Sequence, residues 1–294
     1  MLGVNTLVVG RRHPKGVGLS QPIQQTIPPP VVLTIAGFDP SSGAGVTADL
    51  KVFAAHRLYG VSAVTALTVQ STQGVRRTAP VPPDLLEDTL TCLAEDVEIA
   101  GVKIGMLATA GNVAAVSRFL ESSGIPRERV VLDPIVRSSS GKDLLDSEGL
   151  RLLREELLHR VGWVTPNREE LAALVASPVS NSAEVPKAAA QLQASYPGLN
   201  VVVTGGDANP PDDFLKTADG KEHWLTGERI ETIATHGTGC TFSSALLAAL
   251  IGGKREAATV KAAKDYVTEA MRAAYRIGKG AGPLHHLYQL DTAD

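Results

Sequence analysis

The sequence has few of the features that mark metal-binding modules, membrane proteins or nucleic-acid binders. Its 294 residues include two cysteines, Cys92 and Cys240, which lie too far apart for the short spacing of a zinc site. Cysteine scarcity is typical of the reducing cytoplasm, where we expect the protein to act. No uninterrupted apolar run is long enough to cross a bilayer, so we expect no membrane contact. The net charge is −3, without the excess of basic residues that is typical of nucleic-acid binders, so we expect no nucleic-acid partner.

Two common nucleotide-binding motifs are missing or incomplete. No G-x-x-x-x-G-K-[ST] sequence occurs, so a P-loop is not supported. Residues 43–48 fit the dinucleotide pattern G-x-G-x-x-A, but the loop from Ala36 is too long for the tight turn that this pattern needs. The second predicted strand ends in Thr68, Val69 and Gln70, without the acidic residue that binds a ribose. A dinucleotide-dependent oxidoreductase is therefore disfavoured.

The first 30 residues differ in composition from the rest of the chain. They contain a basic stretch, R-R-H-P-K-G, and end in three consecutive prolines. Their short apolar run, 7–9, precedes the basic residues, which is the reverse of a secretory signal. We predict that residues 1–30 form a disordered extension and that residues 31–294 form a single α/β domain.

Short apolar strands alternate with amphipathic helices from residue 31 onward. We predict strands at 31–36, 61–68, 102–104, 130–132, 163–165 and 201–204, and helices at 46–57, 85–94, 112–120, 150–158, 168–175, 184–194, 240–251 and 257–277. A hairpin is predicted at 214–225, with its turn at 218–220. This alternation predicts a mostly parallel central sheet with helices on both faces, a three-layer α/β fold.

Ligands of such folds bind at the carboxyl ends of the strands. The loops that follow the predicted strands are polar or rich in glycine, and they lie at 37–45, 70–74, 105–106, 133–141, 167 and 205–206. Their coincidence on one edge of the sheet predicts a binding site there.

The most informative stretch is T-H-G-T-G-C-T at 235–241, directly before an apolar helix. Gly237 and Gly239 allow a tight turn and a close ligand, and the first amides of the helix have no partners within it. An anion such as a phosphoryl group therefore suits Gly237, Thr238 and Gly239. The same field favours a thiolate at Cys240. The alternative is a glycine turn before a core helix with an inert buried cysteine, and this stretch alone does not decide between them.

Asn167-Arg168-Glu169-Glu170 also has two interpretations. Asn167 is a good helix cap, and Glu170 completes a capping box. Alternatively, N-x-x-E after a strand can hold a hydrated Mg²⁺ beside the phosphates of a nucleotide. Taken alone, the motif favours the cap.

Several motifs occur together in a characteristic order between residues 32 and 286. They are I-A-G-F-D-P-S-S-G-A-G-V-T-A-D-L-K, Y-G-V-S-A-V-T-A-L-T-V-Q-S-T-Q-G-V, K-I-G-M-L, V-V-L-D-P, S-S-G-K-D-L-L, T-P-N-R-E-E, G-G-D, T-H-G-T-G-C-T and G-A-G-P-L-H-H. The ordered set resembles the hydroxymethylpyrimidine/phosphomethylpyrimidine kinases of the ribokinase-like superfamily. Most superfamily members carry Asp where this chain has Cys240, and cysteine there is similar to the pyrimidine kinases and to a minority of pyridoxal kinases.

The resemblance implies a ribokinase-like fold, a homodimer and Mg²⁺-dependent phosphoryl transfer from ATP to a pyrimidine alcohol and its monophosphate. It implies catalysis by Cys240, as base or partner of the substrate hydroxyl, with an anion hole at Gly237, Thr238 and Gly239. It also implies that the pyrimidine is contacted by Asp49, Gln70, Met106 and Ile135. The implied nucleotide contacts are Asp133, Asn167, Glu170, Thr204 and Gly206. Mg²⁺ would be held by Asp133 and Glu170 through water. For three of these residues there is an alternative without a ligand contact: Asp49 as an exposed helix residue, Gln70 as a turn residue and Met106 as a core residue.

The sequence departs from the family pattern at three positions. Phe38 replaces a small hydroxyl residue, whereas Thr204 and Ser139 stand where lysines are common. Arg137, Lys142 and Lys279 are candidates to supply the positive charge of the two absent lysines. These losses put the second phosphorylation in more doubt than the first.

Two rival functions stay open at this level. One is a pyridoxal kinase, and the other is a degenerate kinase fold that binds a pyrimidine as a sensor without phosphoryl transfer.

Of the histidines, His236 is interpreted as a loop hydrogen-bonder, His285 and His286 as anchors of the C-terminal tail, and His56 and His159 as helix-surface residues.

Overall fold

The computed structural model describes residues 27–138, 141–206 and 208–291. Most of the predicted extension 1–30, and Ser139, lie outside the described residues. The strands are β1 (Val31–Phe38), β2 (Tyr59–Ser71), β3 (Gly74–Pro80), β4 (Ile99–Ile104), β5 (Val130–Leu132), β6 (Trp163–Val164), β7 (Asn200–Val203), β8 (Asp213–Lys216) and β9 (Glu222–Leu225). The helices are α1 (Gly45–Ala55), α2 (Pro83–Asp96), α3 (Ala110–Ser122), α4 (Ser147–Glu155), α5 (Arg168–Val175), α6 (Val185–Ser195), α7 (Thr238–Ile251) and α8 (Glu256–Arg272).

All nine described strands belong to one sheet, in the order β3-β2-β1-β4-β5-β6-β7-β8-β9. The six strands β2, β1, β4, β5, β6 and β7 run parallel to one another. At one side β3 pairs antiparallel with β2, and at the other β8 pairs antiparallel with both β7 and β9. A strand that is covered on both faces can be apolar throughout, and every residue of β5 is buried. The carboxyl ends of the parallel strands share one edge, where the predicted site residues gather.

Neighbouring residues of each strand contribute to opposite layers of the core. Val130 and Leu132 pack with α2 to α6, whereas Val131 packs with α1, α7 and α8. This alternation follows from the two-residue period of a strand. The predicted mostly parallel sheet with helices on both faces, a three-layer α/β fold, is confirmed.

The helix α7 is apolar on all sides and is buried from Cys240 to Leu250. It packs against β4, β5, α1 and α8, so it has no solvent-facing stripe. Its amino end lies at the edge of the sheet where the parallel strands have their carboxyl ends. Among the described residues, no helix combines the length and the apolarity that a membrane span requires.

The sequence pattern locates several elements correctly and misses others. The predicted bounds of β5 and α5 are confirmed, and so is the β8–β9 hairpin. The edge strand β3 was not predicted, because its sequence G-V-R-R-T-A-P lacks an apolar face. The predicted helix 257–277 ends at Arg272, and Tyr275 and Ile277 beyond it are largely exposed. The predicted loop 70–74 is also wrong, because Gln70 and Ser71 still belong to β2.

Candidate active site

The turn before α7 contacts two other loops at the carboxyl edge of the sheet. Gly237 has a φ of +84°, and a Cβ there would lie 1.9 Å from the Gly43 carbonyl oxygen. A Cβ at Gly239 would lie 3.7 Å from Asp133 Oδ2. The glycines therefore let the turn pass closely over the β1–α1 loop and face the end of β5.

The start of α7 has the properties of an anion seat. Within the described residues, no side chain caps the helix, and its first turn contains no acidic residue. The amides at Thr238, Gly239 and Cys240 lack partners within the helix, and the helix dipole favours a negative charge beside them. The sequence-based anion hole at Gly237, Thr238 and Gly239 stays a prediction, and the geometry leaves room for it.

Two carboxylates stand close to this seat. Asp133 is buried and accepts a hydrogen bond from Ser243 Oγ at 3.2 Å. Burial raises the pKa of Asp133, although the nearby Lys103 ammonium opposes this effect. The pKa of Glu170 is also raised, first by burial and then by the Asp133 charge. The two acids therefore repel each other when both are ionised.

The motif N-R-E-E forms a capping box. The Asn167 amide donates to Glu170 Oε2, and the Glu170 amide donates to Asn167 Oδ1, each at 2.9 Å. The structural interpretation of this motif is therefore confirmed, while its contact with a nucleotide stays a prediction. The described residues contain no cluster of three or more metal-binding side chains. Two mutually repelling carboxylates nevertheless fit a hard cation such as Mg²⁺ that also retains water and phosphate ligands.

Asp49 forms a buried ion pair that the sequence did not reveal. Lys103 Nζ lies 3.0 Å from Oδ1 and 2.9 Å from Oδ2, and both side chains are 0% exposed. Thr34 Oγ1 and Ser244 Oγ also donate to this carboxylate, at 2.6 and 2.8 Å. The alternative of an exposed helix residue is therefore wrong. The substrate contact of Asp49 stays a prediction, and four hydrogen bonds to protein groups already occupy its oxygens.

Cys240 lies in the first turn of α7 and is 7% exposed. Burial raises its pKa to about 12; Lys103 opposes this shift, whereas Asp133 and Asp49 add to it. The prediction that the helix start populates the thiolate is thus wrong for the free protein. Desolvation and two neighbouring carboxylates outweigh the helix end.

Gln70, His236 and Asp39 form a network that joins three loops. His236 Nε2 lies 2.8 Å from Asp39 Oδ2 and 3.1 Å from the Gln70 side-chain amide. Asp39 also accepts from the amides of Ser41, Gly43 and Ala44, at 2.8, 3.1 and 3.0 Å. Burial alone would raise the pKa of Asp39, but hydrogen bonds from His236 and Ser41 bring it below its usual value. His236 is the predicted loop hydrogen-bonder, whereas Asp39 was missed because a D-P-S-S loop is also an ordinary turn signal.

The remaining predicted substrate residues lie along the same edge. The Met106 sulfur packs beneath Gly37, where a Cβ would approach it to 3.0 Å, and Ile135 is half-buried. Both contacts with a ligand stay predictions. Met106 is buried, as its core-filling alternative also requires.

The loop after β7 is supported by a lysine that sequence reasoning did not select. The Gly205 amide donates to Asp213 Oδ1 at 2.8 Å, and Lys264 Nζ lies 2.9 Å from Asp213 Oδ2. Lys264 also donates to the Pro211 carbonyl at 2.8 Å, so it supports this loop through Asp213. The nucleotide contacts of Thr204 and Gly206 stay predictions.

The three proposed substitutes for the missing lysines have different surroundings. Arg137 pairs with Asp143 at 2.9 Å, and Lys142 donates to the Arg76 carbonyl at 2.8 Å. Lys279 is exposed, on the segment after α8. The position of Ser139 lies outside the described residues.

The histidines near the C-terminus hold that segment in place, as predicted. His285 Nε2 lies 2.7 Å from Asp291 Oδ2, and His286 Nε2 lies 3.1 Å from Thr241 Oγ1 in the first turn of α7. Burial lowers the pKa of His286 to about 4. His159 is exposed as expected, but His56 is half-buried because its ring packs 4.6 Å from that of Tyr266.

The three-layer fold, the uncapped start of α7 and the adjacent carboxylates define a phosphotransferase of the ribokinase-like class. Residues 39–285 match the family model described as phosphomethylpyrimidine kinase, and the chain belongs to this family. The chain is therefore a kinase.

Individual relatives agree with this assignment. The chain is 40% identical to the hydroxymethylpyrimidine/phosphomethylpyrimidine kinase of Escherichia coli over 261 residues, 87% of this chain and 97% of the relative. Its identity to the enzyme of the same name from Haemophilus influenzae is 38% over 260 residues, 87% of this chain and 96% of that enzyme.

Solved structures extend the likeness to two activities. The phosphomethylpyrimidine kinase of Clostridium difficile matches with a TM-score of 0.72 and 29% identity, covering 82% of this chain and 99% of that one. The ADP complex of Bacillus subtilis pyridoxal kinase matches with a TM-score of 0.78 and 29% identity, covering 87% and 97%.

Proposed function

We propose that the protein transfers the γ-phosphoryl group of ATP to the hydroxymethyl oxygen of 4-amino-5-hydroxymethyl-2-methylpyrimidine. It then phosphorylates the resulting monophosphate, as a step of thiamine biosynthesis. The family match and the names of the relatives support the substrate class. The observation that carries the proposal is the uncapped start of α7, with Gly239 facing Asp133 and Cys240 one residue further on.

The reaction requires positioning and charge neutralisation more than covalent help. The substrate hydroxyl oxygen bonds to the γ-phosphorus, the bond to the bridging oxygen of ADP breaks, and the hydroxyl proton leaves. The anion hole at Gly237, Thr238 and Gly239 would stabilise the phosphoryl oxygens as their charge rearranges. Mg²⁺ held by Asp133 and Glu170, directly or through water, would neutralise charge on the phosphates when bound.

Cys240 is the proposed proton acceptor, or the hydrogen-bond partner of the substrate hydroxyl. Burial and the charges of Asp133 and Asp49 raise the pKa of its thiol and so oppose the thiolate in the free protein. The buried Lys103 ammonium favours the thiolate. Proton transfer to Cys240 is therefore favoured when the charge of Asp133 is compensated.

The nucleotide would lie across the ends of β5, β6 and β7. Asp133 follows β5, Asn167 and Glu170 follow β6, and Thr204 and Gly206 follow β7.

The cellular setting and the assembly belong to the same proposal. ATP as co-substrate and two unpaired cysteines, one exposed and one buried, support action in the cytoplasm. A homodimer is supported by the exposed apolar side chains of Leu67 and Val69 on the hairpin at the edge of the sheet, which are 55% and 46% exposed. Light scattering after gel filtration tests the dimer directly.

Product analysis by mass tests the function. Incubation of the pyrimidine alcohol with Mg²⁺ and ATP is expected to give first the monophosphate and then the diphosphate. The variant Cys240→Ala should retain the fold and lose most of its turnover, whereas Cys92→Ala at an exposed position should behave like the wild type. Unchanged turnover in Cys240→Ala would exclude the proposed role of the thiol.

A pyridoxal kinase is the second candidate, since several structural neighbours carry that name. ATP consumption measured side by side with pyridoxal and with the pyrimidine alcohol separates the two activities. Binding of the pyrimidine without any product would instead indicate a sensor.

A further inference from the structure

The C-terminal segment places the ring of His286 against the first turn of α7. His286 is buried, and its Nε2 lies 3.1 Å from Thr241 Oγ1. The Tyr266 hydroxyl donates to the His286 carbonyl. The His285 amide donates to the Ala270 carbonyl at 3.0 Å. Because Tyr266 and Ala270 both belong to α8, this helix determines where the ring lies.

The hydroxyl of Thr241 determines which nitrogen of His286 carries hydrogen. The hydroxyl has a single hydrogen, which it donates to the Gly237 carbonyl oxygen 2.8 Å away, and a carbonyl can only accept. The hydroxyl oxygen is then an acceptor toward His286, so Nε2 must donate. Burial lowers the pKa of His286 to about 4, so the ring is neutral at pH 7 and carries hydrogen on one nitrogen only, which is Nε2.

Thr241 holds the peptide group that opens α7. Its hydroxyl and its backbone amide both donate to the Gly237 carbonyl, at 2.8 and 2.9 Å. Gly237 has a φ of +84°, and a glycine without such a hold could adopt other backbone conformations. The Gly237 carbonyl and the Thr238 N–H belong to one planar trans peptide and point in opposite directions. With the carbonyl held along the helix, the Thr238 N–H points out of its amino end.

We propose that His286 is a positioning residue that acts through Thr241 to fix the peptide between Gly237 and Thr238, and so directs the Thr238 N–H at the transferring phosphoryl group. The bond from Nε2 keeps the Thr241 hydroxyl turned toward Gly237, and successive hydrogen bonds strengthen one another. Among the described residues, no side chain caps α7 and could take over this task. The inference rests on the proposed function, in which this turn is the anion hole.

Loss of either hydrogen-bonding side chain should slow phosphoryl transfer. His286→Leu removes the donor and Thr241→Val removes the hydroxyl, and each is expected to lower kcat about tenfold, the effect of one lost hydrogen bond. The KM values for ATP and for the pyrimidine alcohol should change less than about twofold, because the Thr238 N–H acts on charge that develops in the transition state. The double variant should be no worse than Thr241→Val, because coupled residues are not additive.

Two conservative variants separate this role from a purely structural one. His286→Gln keeps an N–H donor in place of Nε2, and Thr241→Ser keeps the hydroxyl, so kcat should stay within about threefold of the wild type in both. Additive losses in the double variant, or equal losses in His286→Gln and His286→Leu, would overturn the inference. A higher KM with an unchanged kcat would overturn it as well.

Nitrogen-15 NMR of the histidine rings tests the proton assignment in the unmodified protein, whatever the stability of the variants. At pH 7 the ring signal that disappears in His286→Gln should show hydrogen on Nε2, and a bare Nε2 would refute the proposed chain of hydrogen bonds. Mass analysis of the wild-type products is a separate readout. Absence of any phosphorylated pyrimidine would refute the proposed function, while the NMR result would still decide the state of His286.

Discussion

The ammonium of Lys103 and the carboxylate of Asp49 form a completely buried ion pair, 2.9 Å apart, beneath the start of α7. The two residues belong to β4 and α1, and Thr34 and Ser244 complete the hydrogen bonds of the carboxylate from β1 and α7. The pair therefore joins four elements directly below the candidate site, where the Lys103 charge lowers the pKa of Cys240 and the Asp49 charge raises it.

Removal of one member of this pair should destabilise the fold strongly. Lys103→Met leaves the Asp49 charge buried without its partner, and we expect a loss of about 3 kcal/mol in the free energy of unfolding. The double variant Lys103→Met/Asp49→Asn should recover part of that loss. Urea unfolding followed by circular dichroism measures both, and equal stability of Lys103→Met and the wild type would contradict a paired role.

Two glycines of the same turn should respond differently to alanine. A Cβ at Gly239 would lie at an ordinary van der Waals distance from Asp133. Alanine also has a higher helix propensity than glycine, so Gly239→Ala should fold normally. It should nevertheless lower kcat/KM about 100-fold, because the methyl group intrudes on the anion seat.

Gly237→Ala is the contrasting variant. Its positive φ and its clash with the Gly43 carbonyl should reduce stability by more than about 1 kcal/mol. Thermal unfolding and steady-state kinetics of both variants test the distinction. A stable, fully active Gly239→Ala would show that the phosphoryl group binds elsewhere.

The two thiols should react at very different rates. Cys92 is exposed, whereas Cys240 is buried with its pKa raised to about 12. Since each unit of pKa lowers the thiolate fraction about tenfold, iodoacetamide at pH 8 should modify Cys92 well before Cys240. Mass spectrometry of peptides over time measures the ratio, and unfolding in urea should abolish it. Preferential labelling of Cys240 in the folded protein would restore the thiolate prediction.

His286 should make the protein sensitive to acid. Its pKa of about 4 in the folded state lies below the ordinary value near 6.5, so the unfolded chain binds a proton that the folded chain does not. Its contribution to stability is therefore lost as the pH falls from 6.5 toward 4. Lys51, His285 and His236 add positive charge around the ring and act in the same direction.

The variant His286→Gln should reduce the loss of stability between pH 7 and pH 5 by on the order of 2 kcal/mol. His159→Gln is the matched control, because His159 is exposed. Denaturant unfolding at the two pH values provides the comparison. The same pH dependence in both variants would exclude His286 as the source.

Local patterns predicted the elements that depend on local physics. The buried run of β5 and the cap at Asn167 depend on the hydrophobicity or hydrogen bonding of neighbouring residues, and both were placed correctly. The strand β3 was missed because it is an edge strand with two arginines, and its sequence has no alternation of apolar residues that would face the core. His56 was placed on the surface because the sequence does not show that Tyr266, far along the chain, packs against it.

The candidate site was only partly predictable. The sequence located the glycine turn before α7 and the two acids, because each belongs to a short motif. It did not reveal Lys103, Asp39 or Lys264 as site residues, since each acts through a partner distant in sequence. Lys103 and Asp49 are 54 residues apart, and His236 and Asp39 are 197 apart.

The amino-acid sequence by itself determined the alternation of strands and helices, the glycine turn before α7 and the family to which the chain belongs. These features follow from periodicity and from backbone conformations that particular residues allow. Only the tertiary structure decided that burial raises the pKa of Cys240, that Asp49 is paired with Lys103 and that His236 contacts both Asp39 and Gln70. Protonation and hydrogen-bond direction depend on desolvation and on nearby charges, and packing brings these together from distant parts of the chain.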